Sequence, residues 1–387
     1  MPLISELEQR VRQHLAGLDA AGLRRHLRPP TGVDLSSNDY LGMATHPVLK
    51  ERMAEAVLRE GCGATASRLL RGERASFAAV ERRFAEFKRT EAALFFSSGY
   101  AANIAVLSTF LESTDVVFSD ELNHASLIDG MRLGRARRVI FPHGNIEAFS
   151  RLLEAEHCAG QRFLVTESLF SMEGDVAPLA EYAALCRATG TALIVDEAHA
   201  VGIYGARGSG LIEASGIEED VFLSVNTAGK ALGVGGAFVA GSAWAVEYLI
   251  QRARPFIFST APPPAMAAAI DAALTVIAEE PERRTQLLER AARLRELLAD
   301  RGVTVLPGRS QILPVIVGDN ARSTAVASTL QAKGFDVRAI RPPTVPSGTA
   351  RLRIAVNVSL NEATMHAFVA ALVAAMAETA PCREVSF

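Results

Sequence analysis

Lys230 stands in the run Asn226-Thr227-Ala228-Gly229-Lys230, just past the apolar segment DVFLSV, and small residues follow from Gly233 to Gly236. A lysine whose stem lies among apolar and small neighbours is desolvated, which lowers its pKa and frees the amine as a nucleophile. A lone loop lysine is more often a solvated surface group. Asp196 shifts that balance, because it ends the apolar run TALIVD one strand earlier and is followed by Glu197, Ala198 and His199. A carboxylate at the tip of such a strand carries a desolvation penalty unless a cation meets it. A protonated pyridine nitrogen would be such a cation, and the pair would keep the ring positive and able to accept electrons. Capping the segment that follows is the plainer role for Asp196.

Two histidines extend the set. His199 is placed to donate a hydrogen bond to a ring oxygen, or simply to pack against loop backbone. His124, in Asn123-His124-Ala125-Ser126, has a flat face suited to stacking on a ring and equally suits the start of a helix. The turn Ser97-Ser98-Gly99-Tyr100 leads from a strand into a helix, whose first N–H groups and partial positive charge attract phosphate. Gly99 permits close approach of that backbone. Thr227, three residues before Lys230, adds a hydroxyl. The run RFLVT leads to Glu167 and then Ser171. Arg353, in Ala350-Arg351-Leu352-Arg353-Ile354, offers a fork that would hold a carboxylate in two bonds. An exposed strand arginine is the plain alternative, and Arg351 suits that description better than Arg353.

The elements that position these residues follow from hydrophobic periodicity. Short apolar runs at 92–97, 115–119, 138–141, 162–166, 192–196, 221–225, 236–240 and 256–259 read as strands, several of them apolar on both faces. Helical patterns lie between them, at 76–88 and 177–189 among others, so a mainly parallel α/β sheet is expected. In such sheets ligands gather beyond the carboxyl ends of the strands, where the residues named above fall. After Ala-Pro-Pro-Pro at 261–264 a long helical region runs to about Asp300. Strands at 312–317 and 352–356 follow, with helices around them. The organisation expected is an N-terminal helix and arm at 1–40, a large domain at 41–270 and a smaller C-terminal α+β domain at 271–387.

Composition sets the frame. The 387 residues are 49% hydrophobic and 21% charged, ordinary for a globular chain. A net charge of −3 gives no electrostatic reason to expect nucleic acid or a membrane surface. The longest apolar runs fall short of a membrane span. The opening MPLISELEQRVRQHL reads as an amphipathic helix and not a signal peptide. Four scattered cysteines (Cys62, Cys158, Cys186 and Cys382) argue for a reducing, cytoplasmic setting and against both a disulfide framework and a structural metal site.

Together these residues lie in strings that mark a family. VDEAHAVGIYG and SVNTAGKALGVGGAFV, with LSSNDYLG (35–42), FFSSGYAAN (95–103), LNHASLIDG (122–130) and TESLFSMEGDVAPL (166–179), resemble the α-oxoamine synthases. These are a branch of the aspartate-aminotransferase-like, fold type I, pyridoxal 5′-phosphate enzymes. The resemblance runs from about Leu35 to the C-terminal helices. It implies a seven-stranded, mainly parallel central sheet and a homodimer with active sites at the subunit interface. It implies that Lys230 holds the cofactor as a Schiff base and moves the proton, that Asp196 pairs with the pyridinium nitrogen, that His199 contacts the ring oxygen and that His124 stacks on the ring. Gly99, Tyr100 and Thr227 correspond to phosphate contacts, and Ser171 also touches the cofactor. Arg24, Asn38, Thr344 and Arg353 would face the substrate.

The string AIRPPTVPSGTARLRI (339–354) looks most like the branch of the biotin pathway. That likeness implies decarboxylative condensation of L-alanine with a pimeloyl thioester, carried by coenzyme A or a carrier protein. Glycine-using synthases of the same branch are the nearest alternative. An aminotransferase or decarboxylase of the same fold is the next, and a non-catalytic binding paralogue the last. Where relatives usually carry a histidine this chain has Phe77, and where they carry glycines it has Ser168 and Ala200. The stretch between Arg24 and Leu35 is about a dozen residues shorter than in typical members.

Overall fold

The computed structural model describes residues 4–379. Contacts divide the chain into two compact units. The larger holds Asn38–Ser171 and Asp175–Leu287; the smaller holds Met172–Gly174 with the described parts of Met1–Ser37 and Leu288–Phe387. The division falls inside the helix Glu282–Ala299.

The larger unit is built on seven strands: β1 (Ala92–Phe96), β2 (Val116–Asp120), β3 (Arg137–Phe141), β4 (Arg162–Glu167), β5 (Ala192–Asp196), β6 (Val221–Thr227) and β7 (Ala237–Gly241). Their spatial order is β1-β7-β6-β5-β4-β2-β3. Only β7 runs antiparallel to its neighbours, so the sheet is mainly parallel, as expected. Both faces are covered, which is why the strands are continuous apolar runs. Leu94, Phe96, Val165, Ile194 and Val239 belong to one buried cluster, together with Val106 and Leu107 of the helix Gly99–Phe110. The alternate position Phe95 packs with Phe238 at 4.9 Å, and Phe238 in turn stacks on Phe84 at 4.1 Å. Each such side chain contributes about 1.5–3 kcal/mol on burial.

Parallel strands end at a common edge, and four of them end there in polar residues. Asp120 closes β2, Glu167 closes β4, Asp196 closes β5 and Thr227 closes β6. Glu167 and Asp196 stand directly opposite one another in the ladder.

The strand expected at 256–259 does not form. Arg254–Ile257 is a single helical turn with proline in its first positions, and the chain continues irregularly through the prolines at 262 and 263. Pro255 presets the helical φ and has no N–H to give a ladder. The helical region after 264 is two helices, Pro264–Glu279 and Glu282–Ala299, because Pro281 interrupts the backbone ladder. The helix expected from 177 starts at Leu179, with Pro178 as its cap. The N-terminal helix runs Ile4–Ala20. Met1 to Leu3 and Cys382 lie outside the described residues. No helix among the described residues is long and apolar enough to cross a membrane.

The smaller unit is α+β. Strands β8 (Ile312–Gly318) and β9 (Ala350–Ala355) pair antiparallel, the short strand Ala339–Ile340 borders β9, and the helices Asn320–Ala332 and Glu362–Glu378 belong to the same unit. Val33–Asp34 pairs in parallel with Phe335–Asp336. Arg351 corrects the expectation of an exposed strand arginine. It is 4% exposed and donates to Glu173 Oε1 and to Met172 O, both at 3.0 Å. Alternation puts Arg351 and Arg353 on the same side of β9, away from Leu352 and Ile354, and that side is covered too.

Candidate active site

The edge of the sheet holds two hydrogen-bonded chains. The first starts at Lys230, three residues past the end of β6. Its Nζ lies 2.6 Å from His199 Nε2. His199 Nδ1 lies 2.7 Å from the Tyr40 hydroxyl, which donates to Asn38 Oδ1 at 2.9 Å. Because the tyrosine proton goes to Asn38, the hydroxyl accepts from Nδ1–H. That tautomer leaves Nε2 as the acceptor facing Lys230. His199 and Tyr40 are buried. Glu197 O accepts from Ala200 N and Val201 N, which turns the chain sharply after β5 and sets His199 in place.

The second chain is built on Asp196. Oδ2 accepts from Asn103 Nδ2 at 2.7 Å, and Oδ1 from Ala198 N at 2.8 Å. Asn103 Nδ2 also donates to Ser126 Oγ, which lies 2.8 Å from His124 Nδ1. Asp196 is 6% exposed, and both donors are neutral. The local bond to Ala198 fulfils part of the capping role considered from sequence, while the bond to Asn103 aims the other oxygen. His124 caps the helix Ala125–Leu133 and accepts from Ser126 N at 3.2 Å. Surrounding protein lowers its pKa; the Asp196 charge opposes that shift and the Lys230 charge adds to it, so the ring is neutral at physiological pH.

A third group gathers at the start of the helix Gly99–Phe110. Ser98 accepts from Ala101 N through its hydroxyl and from Ala102 N through its carbonyl. The N–H groups of Gly99 and Tyr100 are left for another acceptor. A Cβ added to Gly99 would lie 3.7 Å from Thr227 Oγ1, and one added to Gly229 the same distance from it. Two glycines thus keep the space around that hydroxyl open. Thr227 Oγ1 donates to Gly236 O at 3.2 Å and accepts from Gly229 N at 3.3 Å. The Tyr100 hydroxyl donates to Asp129. Ser171 is buried at the boundary of the larger unit's first segment.

The four residues expected at the substrate divide between the units. Asn38 joins the Lys230 chain in the larger unit. Arg24, Thr344 and Arg353 belong to the smaller unit. Arg24 pairs with Asp19 at 2.5 Å, Thr344 is exposed, and Arg353 is buried on β9. Tyr40, Asn103 and Ser126 were not singled out from sequence, although Tyr40 and Asn103 stand inside the strings LSSNDYLG and FFSSGYAAN. The sequence offers one signal for them, an asparagine within the apolar helix Gly99–Phe110; the burial of Tyr40 shows only in the structure.

The residues present fit pyridoxal phosphate. A buried carboxylate with neutral donors suits a pyridinium N–H, a neutral histidine suits the ring face, and a helix start beside an open hydroxyl suits a phosphate. Lys230 stands at the same edge. The comparisons agree with this chemistry. The model of the aminotransferase class I and II family matches residues 30–372. An 8-amino-7-oxononanoate synthase from Anaeromyxobacter dehalogenans is 47% identical over 381 residues, spanning 95% of each chain. A solved serine palmitoyltransferase from Sphingomonas wittichii has a TM-score of 0.90 at 30% identity, covering 98% of this chain and 99% of its own. A structure of SPT with PLP gives the same TM-score and coverage at 28% identity. The chain belongs to the class I and II aminotransferase family, in its α-oxoamine synthase branch.

Proposed function

We propose that this chain is a pyridoxal-phosphate-dependent acyltransferase that condenses L-alanine with a pimeloyl thioester, releasing CO₂ and free thiol and forming 8-amino-7-oxononanoate for biotin synthesis. The observation that carries the reading is that one sheet edge holds both the Lys230 amine and a buried Asp196 carboxylate served by neutral donors. The 47% identity to an 8-amino-7-oxononanoate synthase supports the choice of substrates.

Bound pyridoxal phosphate supplies the electron sink that carries the charge left at Cα when a proton or CO₂ departs. The chain supplies everything else. Lys230 holds the cofactor through Nζ. Once displaced by the amine of alanine, it removes the Cα proton and later returns one. His199, fixed by Tyr40, orients Nζ and takes a hydrogen-bonding share of its proton. Asp196 holds the pyridine nitrogen protonated, and Asn103 and Ala198 N–H prevent the carboxylate from turning away. His124 stacks as a neutral ring. Gly99 and Tyr100 N–H and the Thr227 hydroxyl hold the phosphate, which competes with Gly236 O for the hydroxyl proton. Ser171 touches the cofactor, and Arg24, Asn38, Thr344 and Arg353 receive the substrates. Holding alanine and thioester in reacting geometry removes about 7–11 kcal/mol of the barrier. The enzyme works as a homodimer in the cytoplasm.

Purified protein given L-alanine and pimeloyl-CoA yields a product of the mass of 8-amino-7-oxononanoate. Glycine with acetyl- or succinyl-CoA is the rival arm, and turnover there with none from alanine would reject the assignment. Lys230→Ala loses the yellow colour of the bound cofactor, and its rate falls by at least about 100- to 10,000-fold. Turnover retained in that variant removes Lys230 from the mechanism.

A further inference from the structure

In the larger unit, His143 is tied down on three sides. Its Nδ1 lies 3.0 and 3.1 Å from the two oxygens of Asp120, and its Nε2 lies 2.9 Å from Asp175 Oδ2. Its backbone N–H donates to Glu121 Oε1, and that of Gly144 donates to Asp120 Oδ2, both at 2.9 Å. Two carboxylates on one imidazole require both ring nitrogens to donate, so the ring is a cation. Burial disfavours that charge, and the hydrogen bonds and charges of Asp120 and Asp175 outweigh it.

The two aspartates lie at the roots of two segments that face the cofactor. Asp120, 1% exposed, closes β2 and starts the turn that presents His124. Its Oδ1 accepts from Leu122 N at 2.9 Å, and its carbonyl accepts from Asn123 N at 3.3 Å. Asn123 then donates to Ser119 Oγ and Val165 O, at 2.9 and 2.8 Å, directly before His124.

Asp175 stands on the return arm of a hairpin whose outgoing arm carries Ser171. Leu169 and Val176 bridge antiparallel, Phe170 N donates to Asp175 O at 3.0 Å, and Ala177 N donates to Ser168 O at 3.1 Å. The His143 ring also meets Phe170 edge to face, with 4.4 Å between centres. One imidazolium therefore touches the residue before Ser171, the residue paired across from that one, and the carboxylate from which the His124 turn begins. Charge-assisted bonds are shorter and about twice as strong as neutral ones, so a ring held by them at both ends is a stiff spacer.

We propose that His143 is a positioning residue for the cofactor, fixing through Asp120 and Asp175 the spacing between His124 and Ser171. It exchanges no proton with substrate. The inference rests on the reading that both residues meet pyridoxal phosphate, and adds the group that holds them in register.

The test is fluorescence titration of apo-protein with pyridoxal phosphate, together with the visible circular dichroism of the bound cofactor, in wild-type protein and three variants. His143→Gln donates to one aspartate and turns a carbonyl oxygen on the other. His143→Arg keeps a charge with donors for both. Asp175→Asn weakens only the hairpin side. Near neutral pH the glutamine variant should raise the Kd about three- to thirtyfold. It should also diminish the circular dichroism per bound cofactor, a signal that reports how the ring is held and not how stable the protein is. The arginine variant should recover most of both, and Asp175→Asn should shift both in the direction of the glutamine variant by less. Unchanged affinity and circular dichroism in His143→Gln overturn the proposal even where thermal stability falls, because the trio then serves the fold alone. A loss that His143→Arg does not restore and Asp175→Asn does not reproduce overturns it as well. Cofactor binding that depends on His143, in a protein that makes no product from alanine, would sustain the positioning role and reject the acyltransferase reading.

Discussion

Two carboxylates adjacent on the chain, Asp196 and Glu197, meet opposite fates. Glu197 is completely buried and fully employed. Its Oε2 lies 2.5 Å from Lys88 Nζ, and its Oε1 accepts from Leu211 N and Ile212 N. Lys88, also buried, spends a second proton on Ser209 O at 2.6 Å. Asp196 receives only neutral donors. The two lysines also sit differently: Lys88 Nζ meets the Glu197 carboxylate, and Lys230 Nζ lies 2.6 Å from the His199 ring. A buried charge that already holds its counterion is a brace. A buried charge served by dipoles alone is set up for a cation that comes from outside the chain. Glu197 sits between Asp196 and His199, so the brace fixes from behind the strand end that presents both.

Removing one half of the brace is expected to have the largest effect. Lys88→Met leaves Glu197 charged, buried and unpartnered, at a cost of about 3–5 kcal/mol. The double variant Lys88→Met/Glu197→Gln should recover most of it. The substituted side chain keeps a carbonyl to accept from Leu211 N and Ile212 N, and its amide can donate to Ser209 O. Urea unfolding of apo-proteins reads both. A double variant no more stable than the single would mean that the pair is not coupled and that the brace is misidentified.

Asp196→Asn sharpens the contrast from the other side. The apo-protein should lose about 1–3 kcal/mol, less than Lys88→Met loses, since one oxygen that accepts from Asn103 or Ala198 becomes a donor but no salt bridge is broken. Cofactor affinity should fall by about 2–5 kcal/mol, the cost of removing one member of a buried charge pair. Fluorescence titration of apo-protein with pyridoxal phosphate measures the second quantity. If the apo-protein of this variant loses as much stability as Lys88→Met does, Asp196 is also a brace and the distinction between the two acids collapses.

Much of this architecture is legible in the sequence. Seven apolar runs became the seven strands within one or two residues, because strands covered on both faces announce themselves as continuous hydrophobic segments. Lys230, Asp196 and His199 stood out because polar residues directly after such runs must fall at the sheet edge. What stayed hidden was pairing over distance. Nothing near Tyr40 reveals that its hydroxyl meets a histidine 159 positions on, and nothing near Asn103 reveals Asp196. Lys88 looked like the end of an amphipathic helix, and its burial depends wholly on where Glu197 arrives. Arg351 failed as a surface residue for the same reason, since its partner Glu173 lies in a remote loop. The false strand at 256–259 was a local error, where apolar content outweighed the proline beside it.

The last contrast concerns a charged trio that no step of the mechanism uses. His143 Nδ1 lies 3.0 Å from Asp120 Oδ1, and Nε2 lies 2.9 Å from Asp175 Oδ2. A carboxylate at each ring nitrogen calls for two donors, so this ring is the imidazolium, unlike the neutral His124. Burial opposes the charge, but the hydrogen bonds and charges of Asp120 and Asp175 outweigh it and push the pKa up to about 10. The sign of the pH effect follows from linkage. A folded-state pKa raised above the unfolded value of about 6.5 contributes stability that is complete below that pH and is lost as pH rises towards about 10. Wild-type protein should therefore lose stability across that interval relative to His143→Gln, whose profile lacks this contribution. Thermal unfolding of both proteins from pH 6 to 10 reads the difference. Parallel profiles would show that His143 is not held charged by its two aspartates.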